Sequence, residues 1–205
     1  MESQASVALV VGVTGLTGLS LVQALKQPNC PGGPWKVYGV ARRPPPSWFP
    51  SSIIDRFITF DAIDSSNTRA KLSPIACQVT HLFWVTFQIR ADEEVNTRVN
   101  KTMLLNVLTV LKSSASSKLI HVTLQTGTKH YMGPIFDPAH SSQLISHDPP
   151  FHENMARLPY PNFYYPLEDL VQSYAPSLTY SVHRSSIIIG ASSRSVHNTL
   201  LTLAT

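Results

Sequence analysis

The chain has 205 residues, of which 43% are apolar and 14% charged, and its formal net charge is +4. This composition excludes a disordered chain, and the length suits one large domain, or one domain and the start of a second. The 16 Lys and Arg residues are scattered, so no nucleic-acid-binding face is predicted, and the mild basicity fits a pocket for an anionic ligand.

Short apolar runs, separated by stretches of helical periodicity, predict six strands. The runs are Val7–Val11, Lys36–Val40, Phe57–Phe60, His81–Val85, Leu119–Leu124 and Leu178–His183. Apolar residues at helical spacing predict helices over Leu16–Lys26, Asp92–Lys112 and Asn162–Tyr174. Runs that are apolar almost throughout are typical of strands buried on both faces of a parallel sheet. The alternation predicts an α/β fold, a doubly wound parallel sheet with helices on both faces.

Three segments are predicted to be loops because proline and glycine prevent regular structure there. They are Gln27–Trp35, Arg43–Pro50 and Tyr131–Pro161. The last contains six prolines, and a loop of that length in a compact domain is usually a lid or a binding loop.

A glycine-rich turn follows the first strand and opens the first helix. It runs Gly12-Val13-Thr14-Gly15-Leu16-Thr17-Gly18. In this context glycines serve a tight turn, the close approach of the backbone to a pyrophosphate, and close packing of helix on sheet. The turn predicts a Rossmann-type dinucleotide site with candidate contacts at Gly12, Thr14, Gly15, Leu16, Thr17 and Gly18. The alternative is a glycine-rich turn that binds no ligand.

The ends of the next strands indicate which dinucleotide is bound. The second strand ends in Arg42 and Arg43, with no carboxylate for the 2′-hydroxyl of NAD, and two guanidinium groups suit the 2′-phosphate of NADP(H). The alternative is two solvated arginines on a loop. By topology, Asp61 and Ala62 are expected near the adenine, and Val85 and Thr86 over the cofactor cleft.

The catalytic pair usual in short-chain dehydrogenases, YxxxK, is absent from the chain. Two other segments supply a lysine and a tyrosine. The fifth strand leads through Gln125 and Thr126 to Lys129, which is expected in the nicotinamide region, and Asn162-Phe163-Tyr164-Tyr165 enters a helix. Taken singly, the lysine also fits a solvated strand end and the tyrosine pair also fits simple packing.

With these segments the sequence resembles the plant progesterone 5β-reductase/iridoid synthase family of atypical short-chain reductases. The similarity runs through essentially the whole chain. It is carried by Gly12–Gly18, Pro31–Arg43, Leu124–Pro134, His147–Phe151 and Asn162–Asp169. The motifs QTGTKHY and NFYY are far more distinctive than the glycine turn.

The resemblance implies NADPH-dependent reduction of the C=C bond of activated 1,4-enones, with a small enone as the binding partner. By motif, Lys129 matches the family lysine and Tyr164 its catalytic tyrosine. The tyrosine hydroxyl would stabilise the enolate oxygen, and the lysine would hold the nicotinamide ribose and lower the tyrosine pKa. Tyr165 and Tyr131 are the alternative hydroxyls, while His130 and His147 are expected to shape the loop.

The sequence departs from the family pattern in two places. Ser185 stands where relatives commonly carry proline, which weakens the expected cofactor contacts at Ser185 and Ile187. Relatives also continue past Thr205, so we expect residues 1–190 to form an NADP-binding Rossmann domain. Residues 191–205 are expected to begin a substrate region that is largely missing, and their apolar ending, LLTLAT, predicts association.

This truncation leaves alternatives open. The chain could be a catalytically silent NADP-binding module or an inactive truncated paralogue, and a carbonyl reductase or epimerase would normally need YxxxK. The oligomeric state is open, a homodimer being one option.

The sequence carries weaker signals about cellular location and metal binding. The N-terminus, which begins with Met1 and Glu2, lacks the basic region of a signal peptide, and no apolar run reaches the roughly 18 residues that cross a bilayer. Cys30 and Cys77 are far apart, as expected for reduced thiols in a cytoplasmic protein. The eight histidines show no metal-ligand spacing, so no metal is expected.

Overall fold

The computed structural model describes residues 6–190 and 192–194. A sheet of six parallel strands in the order β3-β2-β1-β4-β5-β6 forms the centre of the molecule. The strands are β1 (Ser6–Val11), β2 (Trp35–Ala41), β3 (Arg56–Thr59), β4 (His81–Trp84), β5 (His121–Gly127) and β6 (Thr179–Ser185). The predicted parallel sheet is confirmed.

Helices pack on both faces of this sheet. They are α1 (Leu16–Leu25), α2 (Ser65–Leu72), α3 (Glu93–Lys112), α4 (Lys129–Met132) and α5 (Tyr164–Gln172), with short 3₁₀ turns over Ser51–Ile53, Ser73–Ile75 and Ser141–Gln143. The larger apolar core joins one face of the sheet to α2, α3 and α5, and a smaller core joins the opposite face to α1. The doubly wound arrangement predicted from the sequence is therefore confirmed.

The fifth and sixth strands extend further than their apolar runs. β5 continues past the predicted end at Leu124 to Gly127, and β6 continues past His183 to Ser185. The polar residues at these ends stay in the sheet because the two strands pair with each other, Gln125 with His183 and Gly127 with Ser185. Backbone pairing does not depend on apolar side chains, so a prediction from hydrophobicity ends these strands too early.

Two helices were missed by the sequence analysis. α2 turns only Thr68 and Leu72 into the core, too few apolar residues for a periodic signal. Its N-cap is Asp64, whose carboxylate accepts a hydrogen bond from Asn67 N at 2.9 Å. α4 is a single turn over Lys129–Met132, and it takes up the first two residues of the loop predicted over Tyr131–Pro161.

The strand order determines where a ligand-binding cleft is expected. Chain crossovers leave β1 toward β2 and reach β4 on its other side, so the carboxyl ends of β1 and β4 flank the point at which the order reverses. In open α/β sheets, ligands bind at this point. The predicted start of a substrate region at residues 191–205 falls outside the described residues, except for 192–194.

Candidate active site

The glycine turn between β1 and α1 brings backbone close to backbone at the sheet edge. Gly12 has φ +102°, a conformation that residues with a Cβ rarely adopt, and a Cβ there would lie 2.7 Å from Val85 O. Gly15 is the N-cap of α1 and has no side chain to cap the helix. The N–H groups of the first turn are therefore free of a side-chain cap, as in helix N-termini that bind phosphate.

A cleft of about 840 Å³ opens above this turn along the carboxyl edge of the sheet. Every residue predicted to bind cofactor or to act in catalysis lines it, except Gly18. These residues are Gly12, Thr14, Gly15, Leu16, Thr17, Arg42, Arg43, Asp61, Ala62, Val85, Thr86, Gln125, Thr126, Lys129, Tyr164, Ser185 and Ile187. The fold thus brings them together, and their contacts with a ligand stay predictions.

Gly18 lies away from the cleft, where α1 meets the glycine turn. It is buried, and a Cβ on it would lie 2.1 Å from Gly12 O and 2.7 Å from Val13 Cα. Its contact with a cofactor stays a prediction. Its observed role is to let α1 pack closely on the turn.

Arginine side chains line the cleft. Arg42 and Arg43 follow the end of β2, are exposed, and line the cleft. Arg194, which the sequence analysis missed, lines it as well. The chain returns there because Ser192 Oγ donates to Thr14 O at 2.8 Å and Trp48 Nε1 donates to Ser193 Oγ at 2.8 Å. This contact joins residues far apart in sequence, so no local pattern indicates it.

Two buried polar atoms at the end of β5 have no hydrogen-bond partner among the described residues. They are Gln125 Oε1 and Thr126 Oγ1, and both residues line the cleft. An unpaired buried polar atom is costly, and one beside a cleft is accounted for by a polar ligand. The uncapped turn, the arginines and these atoms fit a dinucleotide phosphate cofactor.

Lys129 and Tyr164 meet in the same cleft although 35 positions separate them in sequence. The Lys129 ammonium lies 4.1 Å from the centre of the Phe163 ring and 5.4 Å from that of Tyr164. Tyr164 is 8% exposed, and a Cβ placed on Gly127 would lie 3.2 Å from its hydroxyl oxygen. Its hydroxyl is therefore fixed beside the end of β5.

The Asn162 side chain links the backbone of Lys129 to that of Tyr164. Its side-chain amide donates to Lys129 O at 2.8 Å, and its Oδ1 accepts from Tyr164 N at 3.1 Å. One buried side chain thereby joins the first turn of α4 to the first turn of α5. The NFYY word contributes this bridge as well as the tyrosine.

The acid–base character of Tyr164 differs from the expectation. Burial, together with the negative charge of Glu93, raises the pKa of Tyr164 to about 12. This direction is opposite to the lowering by Lys129 that was expected from the sequence, and the Lys129 ammonium itself pairs with the Glu93 carboxylate. Burial lowers the pKa of Lys129, and its bond to Glu93 opposes that effect. At neutral pH Tyr164 is a phenol, a hydrogen-bond donor.

The alternative hydroxyls lie outside the cleft lining. Tyr165 Oη donates to His130 O at 2.8 Å, and Tyr131 Oη accepts from Arg184 Nη1 at 3.0 Å. His147 Nε2 bonds to Ala156 O at 2.8 Å, so this histidine joins two parts of the long loop. Among the hydroxyls considered from sequence, that of Tyr164 is the one on the cleft.

Glu93 is a site residue that the sequence analysis missed. It is 3% exposed, lines the cleft, and stands at the first position of α3. Asp92 and Glu94 flank it, and acidic residues are common in the first turn of a helix because they complement its dipole. Nothing in the local sequence therefore indicates that Glu93, rather than Asp92 or Glu94, is the buried residue.

The described part of the chain contains no helix long and apolar enough to cross a membrane. Within residues 6–190 and 192–194, no cluster of three or more His, Cys, Asp or Glu side chains is placed to hold a metal ion. Cys30 and Cys77 are free thiols.

Comparison with known families decides the membership of this chain. The model of the PRISE-like Rossmann-fold domain matches residues 8–203. The chain belongs to this family. An (S)-8-oxocitronellyl enol synthase of Camptotheca acuminata is 47% identical to the chain over 201 residues, covering 97% of the chain and 50% of the enzyme. A 3-oxo-Δ(4,5)-steroid 5β-reductase of Arabidopsis thaliana is 47% identical over 205 residues, covering 98% of the chain and 51% of the enzyme.

These relatives confirm the resemblance inferred from the QTGTKHY and NFYY words. The PRISE-like chain spans about half the length of the curated relatives it matches. Among solved structures, WbmH of Bordetella bronchiseptica in complex with NAD⁺ has a TM-score of 0.65 at 12% identity, covering 93% of this chain and 58% of that one. A UDP-glucose 4-epimerase of Thermus thermophilus has a TM-score of 0.62 at 14% identity, covering 87% and 54%. At these identities the structural likeness shows the fold alone.

Proposed function

We propose that this PRISE-like chain binds NADP(H) in the cleft and carries the catalytic half of a reductase that saturates the C=C bond of activated 1,4-enones. The observation that carries the proposal is the meeting of Lys129 and Tyr164 in one cleft with the glycine turn and two arginines, without a YxxxK motif. Relatives named for enol synthesis and for steroid 5β-reduction match nearly the whole chain, which supports the same reaction class.

The residues around the cleft divide into a phosphate end and a reaction end. Arg42 and Arg43 would hold the 2′-phosphate, and the first turn of α1 would hold the pyrophosphate. Lys129 would donate to the nicotinamide ribose. The cofactor, when bound, supplies the hydride that adds to the enone β-carbon.

Tyr164 would act at the carbonyl end of the enone. As the β-carbon gains a hydride, the π electrons of the C=C bond move toward the carbonyl and negative charge develops on its oxygen. A buried, neutral phenol donates a hydrogen bond to that oxygen most strongly in the transition state, which is how a preorganised donor accelerates a reaction. A solvent proton added at the α-carbon completes the reduction.

A catalytically silent NADP-binding module is the second candidate. It is favoured by large apolar side chains at the cleft that stay in solvent, Phe136 at 74% exposed and Ile187 at 73%. A reaction site that stays open to water stabilises a developing charge less well than a closed one. In this case the cofactor would bind without turnover.

Titration of the purified chain with NADPH and NADH, followed by nicotinamide fluorescence, tests the proposal. A small activated enone is then added and the loss of NADPH absorbance recorded, with a saturated ketone as control. Binding with enone-dependent oxidation supports the reductase, and binding without oxidation supports the silent module. Absence of NADPH binding would refute both, and oxidation with the ketone would indicate a carbonyl reductase.

Replacing Arg42 and Arg43 together by alanine is expected to weaken NADPH binding by about 10²-fold or more and to leave NADH binding nearly unchanged. Each lost charge-assisted hydrogen bond to the 2′-phosphate contributes roughly 1.5–3 kcal/mol, and NADH lacks that phosphate. The measurement is the pair of dissociation constants at one fixed ionic strength.

The matched control replaces Arg69 and Lys71, two exposed cations in the last turn of α2, by alanine. It changes the net charge equally at residues that do not line the cleft. Equal losses of NADPH affinity in both double variants would show that only the overall charge matters.

A further inference from the structure

The Glu93 carboxylate occupies a buried position behind the reaction end of the cleft. Its Oε1 pairs with the Lys129 ammonium and accepts from Phe163 N at 2.8 Å, and its Oε2 accepts from Asn96 Nδ2 at 3.1 Å. With three donors the carboxylate is well satisfied, as a buried charge must be. It touches the start of α4 through Lys129 and the start of α5 through Phe163.

The backbone of Glu93 is fixed as firmly as its side chain. Glu93 N donates to Asp137 Oδ2 at 3.2 Å. That carboxylate also accepts from Ala139 N at 2.9 Å and lies 3.1 Å from His140 Nδ1. The start of α3 is therefore tied to the loop that follows α4, and Glu93 has little freedom to follow a moving lysine.

We propose that Glu93 is a positioning residue, whose carboxylate fixes the Lys129 ammonium and offsets its charge, so that Tyr164 works as a neutral hydrogen-bond donor. The roles that this inference gives to Tyr164 and Lys129 rest on the proposed function. The contacts among the three residues stand without it. In this arrangement the lysine orients and the tyrosine donates, and the lysine does not convert the tyrosine to a phenolate.

The groups around Tyr164 define how its titration depends on Glu93. Glu93 on α3 acts on Tyr164 directly, and the Lys129 ammonium on α4 lies 5.4 Å from the centre of its ring. Asp137, which pairs with His140 in the loop after α4, acts on Lys129. With a glutamine at position 93, the Lys129 charge is no longer offset and the negative charge that disfavours the phenolate is gone. Both changes favour the phenolate.

The experiment compares Glu93→Gln with Glu94→Gln, the same charge change at the exposed neighbouring residue of α3. Tyrosine is labelled at ¹³Cζ, and the Tyr164 signal is assigned with Tyr164→Phe. In the parent chain and in Glu94→Gln the Tyr164 signal is expected to remain that of the phenol up to pH 11. In Glu93→Gln its midpoint is expected to fall by about one pH unit or more.

Glu93→Asp retains the charge and is expected to keep the Tyr164 midpoint close to that of the parent. An unchanged midpoint in Glu93→Gln, or an equal shift in Glu94→Gln or Glu93→Asp, would overturn the proposal. If Glu93→Gln does not fold by circular dichroism, the ¹⁵Nζ signal of Lys129 in the parent chain decides. A slowly exchanging, ion-paired ammonium supports the proposal, and a freely solvated one overturns it.

NADPH titration of the same variants separates this inference from the proposed function. None of the tyrosine or lysine measurements requires a ligand or turnover. A chain that binds no NADPH but shows the shift in Glu93→Gln would refute the reductase and leave the positioning role intact. A chain that reduces enones without that shift would do the reverse.

Discussion

Tyr164→Phe is expected to lower kcat for enone-dependent NADPH oxidation by roughly 10²–10³-fold, the usual cost of removing one preorganised donor at a developing oxyanion. NADPH affinity is expected to change little, because under the proposed function the lost hydroxyl contacts the substrate carbonyl and not the cofactor. The ring stays, so the packing against Phe163, with ring centres 4.5 Å apart, is retained. The measurement is steady-state absorbance at saturating NADPH, once turnover by the parent chain has been recorded.

The neighbouring Tyr165→Phe is the control. Its hydroxyl bonds to His130 O and accepts from Leu158 N at 3.0 Å, on residues outside the cleft lining, so its loss is expected to affect stability more than kcat. A large loss of kcat in Tyr165→Phe with near-normal Tyr164→Phe would reverse the two assignments. A pH profile adds a second check: with the Tyr164 pKa raised to about 12, no loss of rate from its ionisation is expected below pH 10.

Gly18→Ala is expected to destabilise the fold by about 3 kcal/mol, at the upper end of the range for overpacking. The added methyl group would lie 2.1 Å from Gly12 O and 2.7 Å from Val13 Cα, both of them backbone atoms that cannot rotate away. α1 would have to move off the glycine turn, and NADPH binding is expected to fail with it. Urea unfolding followed by circular dichroism measures the free energy.

Gly15→Ala is the matched variant in the same turn. A Cβ on Gly15 would meet Gly12 O at 3.2 Å, and its φ of −79° is open to any residue. We expect it to cost less than about 1 kcal/mol, because neither a hard clash nor a strained backbone is created. Equal free energies of unfolding for the two variants would contradict the packing role of Gly18.

The six strands of the parallel sheet and the glycine turn and arginines of the cleft were predictable from local sequence. Apolar β-branched runs mark buried parallel strands, and the glycine turn directly after β1 marks the start of α1. Arg42 and Arg43 are placed by the strand that precedes them. Such features depend on neighbours in sequence, and so they can be read without knowing the fold.

The QTGTKHY and NFYY motifs predicted that Lys129 and Tyr164 share the cleft. The direction in which the Tyr164 pKa is shifted was not predictable. The sequence indicated a lysine that lowers the tyrosine pKa. In the structure the burial of Tyr164, together with the negative charge of Glu93, 36 residues before Lys129, raises that pKa instead. The charge on a buried group depends on every partner within a few ångströms, whatever the separation along the chain.

The sequence by itself thus determined the family, the parallel sheet and the glycine turn and arginines of the cleft, because each rests on a local pattern. Tertiary structure alone decided that Glu93 turns inward, that Asn162 joins α4 to α5, and that Arg194 lines the cleft. Each of these depends on contacts between segments distant in sequence. Burial and electrostatics arise only when the chain has folded and water has been excluded.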